Sequence, residues 1–392
     1  MCNILLLFAF IIFDPEFVKT LLADNESAWQ RLGDVTIPPE QNLEILALLT
    51  HRLDRWVPRS FLKSKAETLE GNIIFVTKYD EKTTLYRCTM VLSNSTTVNV
   101  FTPSVPLSWK LDIPMRERAA ALSVYVKTHN SMSVFASPAI EWYPDTWLGN
   151  LGFDVASFDQ VPVSRIIDEE LAKHDEETNR LMFKFTEADR EPFYGLLRTV
   201  SETPPGWLEE EAKQLHAETP FGVTDLFNRP HETRGKPILL RGTAKRVVPT
   251  PVTDSEAKAL FGIDHYYQIY LFTEQSQGNP IVVCVRSLPE GMPIGDADDF
   301  LEQITVAAVP YKLWIYETPT GPHYAPVLVG STPVWHPLPQ GQRPLPESVK
   351  AFSFTVFFIL ILIWFSCRYW ARCSAFCRQK PALATHLRTV PK

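Results

Sequence analysis

The chain contains the same β-rich sequence pattern twice. Residues 86–144 and residues 267–337 carry the same order of β-like runs, turns and aromatic residues. Each copy closes on a tryptophan, Trp142 in the first and Trp335 in the second, shortly before a proline. A repeat longer than about fifty residues is a domain-sized unit rather than one rung of a solenoid. The duplication therefore predicts two β modules of one design.

Helical patterns precede the strands in both copies. Apolar residues recur at helix spacing over residues 15–30 and 39–55, and residues 191–197 repeat the pattern of residues 44–49. The predicted strands are residues 73–79, 85–92, 97–102, 119–128 and 134–141 in the first copy and residues 238–248, 266–273, 281–285, 303–316 and 324–329 in the second. Five strands with a long connection before the fourth are typical of an OB-like barrel. We therefore predict an α+β fold with two duplicated helix-plus-β-barrel (OB-like) modules.

An uncharged apolar segment lies near the C-terminus. Between Lys350 and Arg368 there are 17 residues without a formal charge. At about 1.5 Å per residue, a helix of that length covers about 26 Å, close to the hydrocarbon core of a bilayer. A buried core helix is the alternative, but the segment has no polar stripe to orient it. We predict a transmembrane helix over residues 351–370 that contacts the lipid bilayer.

The distribution of charge predicts the orientation of that helix. The chain has a net charge of −7, and six Lys and Arg residues but no carboxylate follow residue 367, so the rest carries −13. Basic tails stay in the cytoplasm, which places the acidic body outside it. The apolar residues 1–13 are expected to be a signal-like segment or a second anchor, so the protein is single-pass, with a two-pass topology as the alternative. Both alternatives place the body on the same side.

These observations predict an order of seven segments along the chain. They are an apolar N-terminal segment (1–13), the first helical and OB-like module (14–145), a polar helical linker (146–190), the second module (191–332), a proline-rich stalk (333–350), the transmembrane helix (351–370) and a basic cytoplasmic tail (371–392).

Three motifs of the second copy resemble a known group of proteins. Residues 235–242, 270–274 and 288–293 are similar to membrane proteins of planctomycete bacteria. The resemblance extends over about residues 190–340 and more loosely over the first copy. It implies a membrane-anchored, duplicated β module, and it implies no chemistry.

Motifs for catalysis are missing from the sequence. It contains no nucleophile elbow, phosphate-binding loop or dinucleotide fingerprint, and its nine histidines are scattered without metal-ligand spacing. We therefore predict no catalytic residue, no cofactor and no metal site. Cys88 and Cys284 lie on different strands of their copies and are expected to be small buried hydrophobic residues.

The polar residues that distinguish the second copy form the candidate ligand face. They are Arg241, Lys245, Asp264, His265, Tyr267 and Glu274. Residues 264–267 contain a carboxylate, an imidazole and two phenols, which are groups that can perform acid–base catalysis. An envelope enzyme is therefore one alternative. Nucleic-acid binding is another alternative, because bases could stack on Tyr270 and Phe272 while nearby cations attract the phosphates. We expect these two rings to pack in the barrel core instead.

An acidic exported body disfavours nucleic acid, whose phosphates are negatively charged. The function predicted from the sequence is therefore that of a membrane-anchored, non-catalytic binding or scaffold protein of the cell envelope. Its expected partner is a protein or an envelope polymer.

Overall fold

The computed structural model describes residues 15–55, 57–80, 84–162, 185–296, 300–318 and 321–337. These residues form two six-stranded sheets with accompanying helices, a mixed α and β arrangement consistent with two duplicated β modules. The first module comprises helices α1 (Pro15–Leu21), α2 (Glu26–Gly33), α3 (Leu43–Arg55) and α4 (Arg59–Lys65) and strands β1 (Glu67–Asp80), β2 (Leu85–Leu92), β3 (Thr97–Thr102), β4 (Glu117–His129), β5 (Met132–Ala136) and β6 (Glu141–Trp142).

The second module follows the same plan with additional short helices. It comprises α5 (Trp147–Asn150), α6 (Arg190–Glu202), α7 (Trp207–Glu218), α8 (Val223–Asn228), α9 (Pro230–Thr233), β7 (Ile238–Pro251), α10 (Ser255–Phe261), β8 (His265–Phe272), β9 (Ile281–Val285), β10 (Glu302–Thr318), β11 (Gly321–Gly330) and β12 (Val334–His336). Short 3-10 turns are formed by Pro39–Asn42, Val155–Gln160, Glu187–Asp189 and Glu274–Ser276.

Each sheet closes into a ring of five strands. The order β1-β2-β3-β5-β4 returns to β1 through the pairing of β4 with β1, and β6 pairs with β4 outside the ring. The second sheet repeats this order as β7-β8-β9-β11-β10, with β12 paired to β10. Within the rings, β3 with β5 and β9 with β11 are parallel pairs, and the other neighbours are antiparallel. Both copies therefore have one topology.

Each module has two apolar cores, one on either side of its ring. Inward side chains such as Met90 and Leu271 fill the interiors of the rings. The outer face of β3, β4 and β5 packs against the first four helices, and the outer face of β9, β10 and β11 packs against α6. Because α3 and α6 each cover the parallel strand pair, the repeated unit includes its helix.

The two covering helices bury the same positions. In α3 the buried residues are Ile45, Leu46, Leu49, Thr50 and Leu53, and in α6 they are Pro192, Phe193, Leu196, Leu197 and Val200. Every member of the second set lies 147 positions after its counterpart, and the spacing is that of one helix face. The predicted equivalence of residues 44–49 and 191–197 therefore extends over the whole helix.

A glycine and a β-bulge recur at the same place in the first strand of each ring. A Cβ atom on Gly71 would lie 2.2 Å from the carbonyl oxygen of Val91, and one on Gly242 would lie 2.4 Å from that of Phe272. Three positions later, the register shifts at Ile74 in β1 and at Lys245 in β7. The strands therefore approach and bend alike in the two copies.

The closing tryptophans also occupy equivalent positions. The Trp142 Nε1 atom donates to Glu117 at 2.8 Å, and the Trp335 Nε1 atom donates to Glu302 at 2.8 Å. Each tryptophan lies on the short sixth strand of its sheet. Trp335 lies in the segment predicted to begin a stalk at residue 333, so residues 334–336 differ from that prediction because they pair with β10.

The segment after the first module also differs from the predicted polar linker. Leu148, Phe153 and Val161 are buried in the helix-side core of the second module. The cause is the set of apolar residues between positions 147 and 161, which outweighs the polar composition further along. The predicted segments 1–13 and 351–370 lie outside the described residues.

Candidate functional site

The outer face of β7 and β8 carries aromatic and cationic residues of the second copy. Side chains alternate along β8, so Ile269 and Leu271 fill the interior of the ring while Tyr270 and Phe272 lie on its outer face. The prediction that Tyr270 and Phe272 form the barrel core is therefore wrong, because their neighbours occupy the interior. Tyr270 instead packs at the edge of the helix-side core.

The bulge in β7 places two consecutive cations on this face. The Lys245 Nζ atom lies 4.6 Å from the centroid of the Phe272 ring, and the Arg246 Cζ atom lies 5.1 Å from that of Tyr270. Each exposed cation–π contact contributes about 0.5–1 kcal/mol. Burial raises the pKa of Tyr270, and the Arg246 charge opposes that shift. The face therefore presents two positively charged side chains, each lying over one aromatic ring of β8.

A groove borders these rings at the end of β8. Its volume is about 800 Å³, and Arg241, Phe272 and Glu274 are among the residues that line it. Its wall includes Gln303, whose Nε2 atom donates to Thr243 at 2.6 Å. Because Lys245 lies over Phe272, the structure brings together three of the six predicted face residues: Arg241, Lys245 and Glu274. We call the surface formed by Arg241, Lys245, Arg246, Tyr270 and Phe272 the β7–β8 face.

The other three predicted residues lie at the opposite end of β8. Asp264 and His265 are exposed, and the His265 ring packs edge-on against Tyr267 with 5.5 Å between the centroids. At about 3.3 Å per residue, the eight residues of β8 separate the two ends by roughly 23 Å. Within the described residues, no hydrogen bond joins the Asp264 and His265 side chains. The six predicted residues therefore form two groups rather than one site.

A cleft between the two modules contains charged residues that the sequence analysis did not single out. Arg59 on α4 pairs with Glu141 of its own module and with Glu191 of the second. The backbone nitrogen of Ser60 donates to Glu256 on α10 at 2.7 Å, and the Ser60 hydroxyl donates to it at 2.6 Å. These residues are separated by 82 to 196 positions in the chain, so no local motif connects them.

Three carboxylates surround that single guanidinium. Burial alone would lower the pKa of Arg59, but the charges of Glu191 and Glu141 raise it above its usual value. Burial raises the pKa of Glu191, and Arg59 opposes that shift. Burial raises the pKa of Asp154 to about 7, and the charge of Glu141 adds to the shift. The three carboxylates therefore carry more negative charge than the half-buried Arg59 guanidinium balances.

The sequence offered one signal for this cleft. Glu141 directly precedes the closing tryptophan of the first copy, whereas Val334 precedes that of the second. The charge at this position is therefore present in the first copy and absent from the second. Glu141 pairs with Arg59, and Arg59 in turn pairs with Glu191 of the second module.

The described residues contain neither a metal-ligand cluster nor a membrane-spanning helix. The described part of the chain has no group of three or more His, Cys, Asp or Glu residues placed to hold a metal ion. None of the helices described is both long enough and apolar enough to cross a membrane. Cys88 and Cys284 are buried free thiols. No protein-family model matches the chain, and no curated protein matches it.

Proposed function

We propose that this chain is a non-catalytic binding protein whose two β modules are OB-like barrels. The support is the order of the strands: a closed antiparallel ring whose third and fifth strands run parallel. OB-like barrels bind extended polymers across their outer strand faces. The proposal assigns the ligand to the second barrel.

The β7–β8 face is the proposed ligand surface. The neighbouring strand β9 is covered, because Val282 and Cys284 are buried under the helix-side core. This leaves the outer sides of the first two strands open in the second barrel. There, Lys245 and Arg246 are exposed above half-buried rings.

One observation carries the assignment to the second copy. Lys245 occupies the bulge position that Ile74 has in the first copy. Phe272 pairs with Thr243, the residue after the repeated glycine, as Val91 pairs with Asn72 in the first copy. The two barrels share one scaffold but therefore differ in the charge and aromatic content of the same patch on their outer surface. A patch that gains charge and an aromatic ring at fixed scaffold positions is suited to recognition of a ligand.

The charge of the face favours an acidic partner. Arg241, Lys245 and Arg246 are exposed cations on a body whose overall charge is negative. A local positive patch attracts an acidic chain that the remaining surface repels. We infer an acidic protein segment or an acidic envelope polymer as the ligand, bound by a body held outside the cytoplasm through residues 351–370.

Binding of defined acidic polymers tests this function. Poly-L-glutamate and polygalacturonate would be titrated into the full-length chain in detergent, with a single-stranded oligothymidylate as the competing class. The Lys245→Gln/Arg246→Gln double variant removes two exposed cations of the face. It is expected to bind the acidic polymers at least tenfold more weakly, which corresponds to a loss of about 1.4 kcal/mol in binding free energy. The matched control is Lys78→Gln/Lys110→Gln, which removes two exposed lysines of the first module.

Equal loss in both double variants would mean that only net charge matters and would refute the assigned face. Tighter binding of the oligothymidylate than of both acidic polymers would refute the ligand class. Topology is tested separately by a reporter fused to the C-terminal tail. The proposal requires the reporter to be in the cytoplasm.

A further inference from the structure

We propose that the cleft between the modules binds a small ligand through a protonated amine. This site is separate from the β7–β8 face, and it does not depend on the function proposed for that face. The inference rests on a cavity, on an imbalance of charge and on one carboxylate oxygen without a partner.

The cavity has the size of a small-molecule site. Its volume is about 370 Å³, within the range of roughly 300–1,000 Å³ common for ligand pockets. Both modules contribute to its wall, and Phe153, Leu260 and Phe261 supply an apolar side. Arg59, Glu141, Asp154 and Glu191 line its polar side. A ligand with a charged head and a short apolar body matches these two sides.

Three carboxylates surround the Arg59 guanidinium on the polar side, and the other charged lining residues are the exposed Lys63 and the Arg198–Glu202 pair. Glu141 and Glu191 share Arg59, whereas Asp154 forms no ion pair with any described residue. A carboxylate removed from water is costly unless it is paired, and an added cation offsets that cost. The excess negative charge therefore favours a positively charged ligand over a neutral or negative one.

One oxygen of Asp154 is available as the acceptor. Its Oδ1 atom accepts hydrogen bonds from the backbone nitrogens of Trp142 at 2.8 Å and Ala156 at 3.0 Å. Its Oδ2 atom accepts none from the described residues. Asp154 lines this cavity and also an adjoining one of about 200 Å³. Two backbone donors thus fix the carboxylate while its second oxygen stays open to a ligand.

The charged groups around Asp154 come from every wall of the cleft. Arg59 and Lys63 lie on α4, Glu141 and Tyr143 on or just after β6, and Glu191, Arg198 and Glu202 on α6, with Asp159 in the adjoining cavity. The Tyr143 hydroxyl donates to Glu141, and Arg198 pairs with Glu202 at 2.9 Å. Lys63 is exposed at the mouth, where solvent screens its charge.

Proton binding competes with amine binding at this carboxylate. The pKa of Asp154 is raised to about 7 by burial and by the Glu141 charge. An ammonium group pairs with the deprotonated form, so its affinity is expected to be full above pH 8 and to fall as the pH drops through 7. Binding at pH 7 should release protons, because the ligand favours the charged carboxylate.

Three compounds with the same four-carbon body test the proposal. n-Butylammonium, n-butanol and butyrate would be titrated calorimetrically into the full-length chain in detergent at pH 8 and pH 6. Saturable binding is expected for n-butylammonium alone, at least tenfold weaker at pH 6. The Asp154→Asn variant keeps an oxygen for both backbone donors and is expected to lose at least tenfold in affinity. Asp296→Asn, at an exposed carboxylate, is the matched control.

Two results with the wild-type chain would overturn the site. One is equal binding of butanol or butyrate by the wild-type chain, and the other is an n-butylammonium affinity that does not change between pH 8 and pH 6. Both use the unmodified protein, so they decide the question even if Asp154→Asn fails to fold. Undiminished binding by a folded Asp154→Asn variant would equally contradict it.

Discussion

The two modules place a buried lysine at the same bulge but give it different partners. The register of β4 shifts just before Lys127, and that of β10 shifts just before Lys312. The Lys312 Nζ atom donates to both carboxylate oxygens of Asp189, at 2.8 and 2.9 Å. Lys127 donates instead to the backbone carbonyls of Ile37 and Asp34. One scaffold position thus fastens the covering helix by an ion pair in one copy and by main-chain contacts in the other.

The partner positions show the same divergence. Asp189 lies 147 positions after Asn42, which is the offset between the buried faces of α6 and α3. Both residues are about 1% exposed. Asp189 also accepts from the Tyr311 hydroxyl and from Thr186 before α6, whereas the Asn42 amide has no hydrogen-bond partner within the described residues. The second module therefore depends more on buried charge than the first.

The largest expected difference follows from removing these lysines. Lys312→Met leaves the Asp189 carboxylate buried without its cation, which costs about 3–5 kcal/mol. Lys127→Met removes charged hydrogen bonds to carbonyls, which costs about 1.5–3 kcal/mol. Denaturant unfolding of the full-length chain in detergent measures both free energies. Equal losses would show that the ion pair adds nothing to the shared design.

The repeated glycine is expected to give equal effects. Gly71→Ala and Gly242→Ala each bring a Cβ atom against a neighbouring backbone oxygen, so the strand must shift. Such overpacking costs about 1–3 kcal/mol. The free energy of unfolding of each variant is the measurement. A neutral result for one glycine, with loss at the other, would break the equivalence of the two strands.

Replacement of the repeated tryptophan is expected to give a smaller difference in stability between the two modules. Trp335→Phe removes a donor from Glu302, which is buried, and is expected to cost about 1–3 kcal/mol. Trp142→Phe removes a donor from the half-buried Glu117, for an expected cost of about 0.5–1.5 kcal/mol. Melting temperatures of the two variants, measured side by side, check this order. The reverse order would contradict the role assigned to burial.

Much of the scaffold follows from the sequence because local patterns determine it. The strands at residues 85–92, 97–102 and 281–285 were predicted at their observed bounds, since alternation or a short apolar run marks each of them. The equivalence of the closing tryptophans was likewise visible as a repeated aromatic residue. These features depend on neighbours within a few positions.

The site was harder to predict because it depends on distant contacts. The spacing of Tyr270 and Phe272 in the sequence shows that they lie on the same face of the strand. Whether that face points into the ring or out of it depends on how β8 pairs with β7 and β9. Lys245 and Arg246 both reach that face because of a bulge, which alternation alone does not indicate. Arg59 and Glu191 belong to different modules and lie 132 positions apart in the chain, so no local pattern connects them.

The assignment of the ligand surface to the second module is tested by replacing residues of the β7–β8 face with the residue types found at the equivalent positions of the first module. Lys245→Ile/Phe272→Val installs the residue types of Ile74 and Val91 and is expected to change the free energy of unfolding by less than about 1 kcal/mol. Poly-L-glutamate affinity would be measured for this variant and for the wild-type chain. We expect at least a tenfold loss of affinity in a variant that stays folded. Unchanged affinity in that variant would contradict the claim that a shared scaffold carries its ligand face in the second copy alone.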